Sequence, residues 1–314
     1  GAGEEPIVFH QPANNVLEWS TALDSGICMA NLCEDWVDES FWRKAYNLSS
    51  GKDYRLATWE MAGLSLEPMG IKYEDVYDSQ DVARFNFHGQ YYLDADKLEE
   101  QLHFRQMPAK IYWGAVKNEM ERMMANPMIA AMMPTAEAMH AHNKEIAAKK
   151  TGTVWMEENM EMDWIKAFFG SLEEKQNAKP FELYHPAEEP ERPLDHGYDE
   201  EKGIENLDVN DLEKAAQFRG GSYEEDHAGD IYTPVEWKCA SGHKFKMSVN
   251  AVLHGGHWCP ECMKNSWAYP KMAKENPFYA QVWNPQHSPE EDYEIPMQFS
   301  AYDIEKELEE KLGL

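Results

Sequence analysis

Positive charge, long apolar runs and cysteine are all scarce in this 314-residue sequence. Its 29 Lys and Arg face 57 Asp and Glu, a formal charge of -28. Affinity for a polyanion rests on cationic contacts that release counterions, so the balance argues against nucleic acid as a partner. The longest apolar stretches, such as Met128 to Met133, fall far short of the roughly 20 residues needed to cross a bilayer. No charged, apolar, small-residue leader of the secretory type opens the chain, which predicts a cytoplasmic protein with no membrane association. Five cysteines is an odd number, and a reducing compartment suits them better than a disulfide framework.

What is present is enough apolar and aromatic residue, 43% and 12%, for a folded core. Residues 7–100 alternate short apolar runs with helix-like segments. The patterning predicts strands at 6–10, 16–24 and 44–51, and helices over 24–37 and 54–70. Asp24 is predicted to cap the first of these helices. From Tyr112 to Lys150 the chain turns helical and methionine-rich, with Met120, Met124, Met128 and Met132 at one-face spacing and Pro127 and Pro134 as breaks. Such methionines fill core gaps or bind partner helices, and packing is the expectation here. His140 and His142 point to different sides of any helix, which argues against a metal between them.

Residues 181–232 hold sixteen acidic against four basic residues and read as a solvated connector. Within it, Asn210 and Glu213 stand at capping-box spacing, with Gly220 as a stop. The resulting division is 1–110, a methionine-rich helical region 111–178, the acidic connector 179–232, a cysteine-rich module 233–290 and a tail 291–314 carrying a terminal helix.

The chemistry concentrates in "EWKCASGHKFKMSVNAVLHGGHWCPEC", residues 236–262. Three residues separate Cys239 from His243, fifteen follow before Cys259, and two separate Cys259 from Cys262. Short pairs of this kind let a tight turn aim two side chains at one ion, and two pairs supply the four N/S ligands of tetrahedral zinc. His254 and His257 compete for the histidine position, and a Cys259–Cys262 disulfide is the rival reading. Four good ligands close the shell, so the zinc is read as structural, stabilised further if a helix begins after Cys262.

Two resemblances extend this reading. "AAQFRGG" with "VEWKCASGHKFKMSVNAVLHGGHWCPEC", over about residues 214–285, resembles bacterial treble-clef zinc-finger modules, with "W-x-C-x-x-G-H-x-W/F" and "W-C-P-x-C" as the shared motifs. "STALDSG", "YNLSSG" and "DADKLEEQLHF", over about residues 6–106, resemble the carboxy-terminal, substrate-binding part of an NAD-dependent epimerase/dehydratase, an extended short-chain dehydrogenase/reductase. That second resemblance implies an oxidoreductase portion closing over a sugar-nucleotide-like substrate, with Arg84, Asn86 and His88 at the substrate and NAD only where an upstream cofactor domain exists.

The sequence departs from that family in two ways. It lacks the Gly-rich turn that brings backbone N–H groups against a pyrophosphate. The one clear Tyr-x-x-x-Lys, Tyr198 to Lys202, lies in the acidic connector. The expectation is therefore an α+β chain, mostly helical with small sheets, lacking a complete Rossmann domain and ending in a treble-clef zinc finger, with no catalytic residues of its own. The alternative is a zinc-dependent module that binds a protein or nucleic-acid partner, with the dehydrogenase-like part as scaffold.

Overall fold

The computed structural model describes residues 5–85, 91–188, 190–263 and 266–296. The chain divides into two units, Gly1–Pro193 and Leu194–Leu314. Both mix helices with small antiparallel sheets, an α+β arrangement. The predicted terminal helix falls mainly on 297–314, outside the described residues.

In the first unit, Pro6–His10 forms a 3-10 turn where a strand was predicted. Pro6, Phe9 and His10 are all buried, and the His10 ring bonds the Thr151 carbonyl at 2.8 Å, so the segment packs by its turn and joins no ladder. Strand β1 (Val16–Glu18) pairs antiparallel with β2 (Arg55–Ala57), placing Glu18 opposite Arg55. Helix α1 (Ala22–Asn31) starts at Thr21, whose hydroxyl accepts the Asp24 N–H at 3.0 Å. Thr21 is thus the cap, and the Asp24 carboxylate is released for long-range bonding.

The strand predicted over 44–51 does not form. Ser49 donates to the Glu18 carboxylate, while Ser50 donates to Asp24 at 2.5 Å and accepts the Thr21 N–H at 2.9 Å. Side-chain bonds replace the ladder there. The helix predicted over 54–70 is divided in the same way: β2 leads into α2 (Thr58–Leu66), and a 3-10 turn, Glu67–Met69, closes on left-handed Gly70.

Helix α3 (Asp96–Leu102) is followed by the methionine-rich region in three pieces, α4 (Ala109–Met124), α5 (Pro127–Ala130) and α6 (Ala136–Ala147). Asn126 caps α5 and Thr135 caps α6, so the breaks fall where the prolines put them. The packing expectation fails for Met128 and Met132, which are 78% and 82% exposed. Met139 does pack, against the cluster of Leu66, Ile71 and Val76.

Helices α7 (Thr153–Glu158), α8 (Met162–Phe169) and α9 (Leu172–Gln176) complete the unit. Lys175 is buried on an ion pair with Glu157 at 2.6 Å, and Lys144 lies 2.6 and 2.5 Å from Asp78 and Asp81.

The second unit corrects the connector reading. Helix α10 (Val209–Gln217) is capped by Asp208, with Asp211 answering in a capping box two residues ahead of the predicted one. The predicted Gly220 stop is present, at φ +73°. Three strands follow in sheet order: β3 (Ser222–Tyr223), β4 (Pro234–Lys238) and β5 (Lys244–Ser248), both pairings antiparallel. Then come α11 (Val249–Leu253), β6 (Ser266–Trp267), α12 (Tyr269–Glu275), α13 (Pro277–Trp283) and β7 (Ile295–Pro296), with β6 and β7 paired.

A large core cluster lies in this unit. Ile204, Leu207, Leu212, Ala215 and Ala216 pack with Tyr223, Trp237, Phe245, Val252 and the buried cysteines Cys239 and Cys259. The latter half of the acidic connector is therefore core-forming, with Glu205, Asp208 and Glu213 exposed and Asp211 buried on its ion pair with Lys202. Its join to the hairpin is tight. A Cβ on Gly221 would lie 2.1 Å from the Lys238 carbonyl, and one on Gly220 would lie 1.7 Å from that of Glu275.

Candidate metal centre

Hairpin β4–β5 carries the first ligand pair. Beyond Lys238 the chain turns tightly: Cys239 N–H donates to the His243 carbonyl at 3.0 Å, and Gly242 N–H donates to that of Cys239 at 2.9 Å. Gly242 has φ +83°, a conformation glycine adopts without steric penalty. Trp237, fully buried and bonded through Nε1 to the Met247 carbonyl at 2.8 Å, anchors the hairpin beneath this turn. Phe245 and Trp258 meet edge to face at 5.2 Å, joining the hairpin to the second pair.

That second pair sits on a 3-10 turn, Pro260–Met263. The helix expected after Cys262 starts at Tyr269, seven residues beyond it. Backbone N–H groups of Cys262 and Glu261 directed at the Cys259 sulfur favour its thiolate locally.

The four side chains converge. Nδ1 of His243 lies 3.5, 3.6 and 3.4 Å from the sulfurs of Cys239, Cys259 and Cys262, and the Cys239 and Cys262 sulfurs are 3.7 Å apart. A tetrahedral ion about 2.3 Å from sulfur and about 2.05 Å from nitrogen requires S···S near 3.8 Å and S···N near 3.6 Å. The cluster has the dimensions of such a shell and could hold a metal ion. His243 belongs to it, whereas His254 bonds Asn250 at 3.2 Å instead. The same convergence answers the disulfide reading, since all four groups share one centre.

Burial, together with the neighbouring Cys259 and Cys239 thiols, pushes the Cys262 thiol up to about 12. Burial also raises Cys259. A metal ion is the partner that would draw the protons off the raised Cys259 and Cys262 thiols.

Of the residues assigned to a substrate, Arg84 is the described one. Arg84 is exposed, pairs with Glu174 at 3.4 Å and lies over the Phe85 ring at 5.0 Å. Asn86 and His88 fall in 86–90, outside the described residues. Lys202 of the Tyr-x-x-x-Lys motif is paired with Asp211 at 2.6 Å, and Tyr198 packs on the core of the second unit.

Two buried polar groups escaped the sequence reading. Asp24, fully buried, accepts from Ser50 and from the N–H groups of Gln106 and Met107 at 2.8 and 3.1 Å. Arg219, also buried, donates to the carbonyls of His196 and Ala215 at 2.8 and 3.0 Å and stacks over Phe278 at 4.5 Å. Burial lowers its pKa to about 10. Its only sequence signal was the adjacent glycine pair.

No family model matches this chain, and neither a curated protein nor a solved structure matches it. No helix among the described residues is long and apolar enough to cross a membrane. The class of the protein is thus defined from its own atoms: two α+β units, the second organised around a Cys3His cluster.

Proposed function

We propose that residues 194–296 are a structural zinc module of treble-clef type, and that the chain acts by binding a protein partner and not by catalysis. The observation that carries the reading is the ligand spacing, four N/S atoms at tetrahedral separations. A Cys3His set favours zinc among the common divalent ions, and a shell already filled by four protein ligands leaves no position for a reacting water.

Charge favours protein over nucleic acid as the partner. Lys244 of the hairpin is taken up by Glu236 at 2.8 Å and Glu224 at 3.1 Å, which removes it from any phosphate footprint. The epimerase/dehydratase reading rests on its sequence segments alone, so the proposal includes neither NAD nor a sugar nucleotide.

Elemental analysis of the purified chain beside Cys239→Ser and Cys259→Ser is the test. One zinc per chain, absent from both variants together with the structure of the second unit, is the expected result. A metal that survives both substitutions defeats the four-ligand site. Binding of single-stranded DNA or RNA that weakens steeply with salt would replace the protein partner by a nucleic acid.

A further inference from the structure

The first unit carries exposed aromatic side chains beside one of its small cores. Helix α1 turns Asp24 and Cys28 inward, and Cys28 packs with Phe41, Leu98, Leu102 and Phe104. Its opposite side carries Met29, 62% exposed, and the turns continue past its end through Leu32, Cys33 and Glu34 N–H bonds to Cys28, Ala30 and Asn31. Met29 and Cys33 are exposed one turn apart, and Trp36 follows in the turns beyond the helix end.

Trp36 is half exposed and stacks on His103 at 6.2 Å, beside buried Leu102 and Phe104. Trp42 is equally exposed and meets buried Phe41 edge to face at 5.2 Å. Two half-exposed indoles thus stand against side chains at one small core. Exposed tryptophan is uncommon away from interfaces and is enriched among residues that dominate binding energy.

The border of this surface is predominantly acidic, with Arg43 and Lys44 the exposed bases beside Trp42. Glu34, Asp35, Asp38 and Glu39 are exposed within six residues, and Glu100 is exposed three residues before His103. Among the described residues, none of Glu34, Asp35, Glu39 and Glu100 forms an ion pair with a cation. The nearby Lys44 acts on Asp38. Aromatic faces and unpaired carboxylates together complement one kind of ligand: apolar side chains interspersed with ammonium or guanidinium groups, which stack on indole faces and neutralise the rim.

We propose that the surface formed by Met29, Trp36 and Trp42 with the Glu34–Glu39 rim docks a basic amphipathic helix of a partner protein. The alternative apolar surface, at Met128 and Met132, has no comparable charge signature and nothing to indicate what covers it.

The test titrates the full chain with a synthetic helical peptide carrying Leu on one face and Lys on the other, and with its Lys→Glu counterpart. The Lys peptide is expected to bind, and the Glu peptide is not. Trp36→Ala/Trp42→Ala should weaken binding about tenfold or more, as loss of central anchors does. Glu34→Gln/Asp35→Asn/Glu39→Gln, on exposed positions that leave the fold intact, should weaken it and flatten its salt dependence. Glu201→Gln/Glu205→Gln/Glu213→Gln, equal in charge but in the second unit, should leave it unchanged.

Equal weakening by both charge variants would mean attraction to net charge alone and would overturn the proposal, as would an unaffected tryptophan variant. A dimer seen by sedimentation without peptide, and broken by the tryptophan variant, would make the occupant a second copy and also overturn it.

Discussion

The two units solve the same difficulty by different chemistry. Both are rich in irregular backbone, and both have sheets too short to hold their loops. In the first, buried charge does the holding: Asp24 gathers Ser50 with the 106–107 backbone, Glu18 binds Arg55 at 2.7 Å with both side chains buried, and Asp81 accepts Lys144. In the second, an apolar core ends in three thiols and an imidazole placed so that they could hold a metal ion. A carboxylate hub works with partners from the chain itself, whereas on the proposed zinc reading the thiol cluster depends on something supplied from outside. The first unit should thus be indifferent to chelators and the second should not.

The comparison is broken most severely at the metal. Cys259→Ser should remove a contribution on the order of 10 kcal/mol from the second unit. Hydrogen exchange is the check: protection should vanish in the second unit and persist around α8, and uniform loss would deny the independence of the two units. The corresponding break in the first unit is Asp24→Ala, which strands a hydroxyl and two backbone N–H groups. A loss of about 3–5 kcal/mol is expected, read as a shift in that unit's urea midpoint alone.

Acid sharpens the contrast. Burial pushes the Asp78 carboxyl up, but Lys144 and His140 outweigh it and hold the group below its ordinary range. Glu157 is likewise held low, hydrogen bonds from Gln176 and Lys175 outweighing burial. A depressed carboxylate contributes stability above its unfolded pKa, about 4, and loses it as pH falls through the lower folded value. Protons compete for thiolate and imidazole ligands well above that range. On acidification, zinc release and melting of the second unit should precede any change in the first, and coincident transitions would refute the order. The smallest effect is expected at Arg84→Ala, where an exposed ion pair is removed. Stability should change by no more than about 0.5 kcal/mol.

Local chemistry was legible in the sequence, and long-range chemistry was not. The four ligands lie within 24 residues, and two tight turns suffice to bring them together, so spacing alone identified them. The breaks at Pro127 and Pro134 were legible for the same reason, since proline acts on its own backbone. Charge counting misled at 204–223, where the apolar positions Ile204, Leu207, Leu212 and Ala216 fix the fate of the segment, and even one of its acids, Asp211, is buried. The strand predicted over 44–51 failed because Glu18 and Asp24, remote in sequence, offer its serines better partners than a ladder. Asp24 itself was misplaced by three residues, since Thr21 and Asp24 are both competent caps and only the 106–107 backbone decides between them.

The glycine pair after Arg219 bears on how the second unit can be moved or reused. Gly221 lies against the Lys238 carbonyl, and Gly220 lies against that of Glu275, so the residues before the hairpin and those after the cluster are pressed together without room for a side chain. Excising the module at residue 233, where the motif begins, would strip away α10 and β3 and open the core that they share with Trp237 and Val252. The smallest transferable piece therefore starts ahead of Ile204. A graft cut from the metal motif alone would carry the ligands and leave behind the wall they lean on.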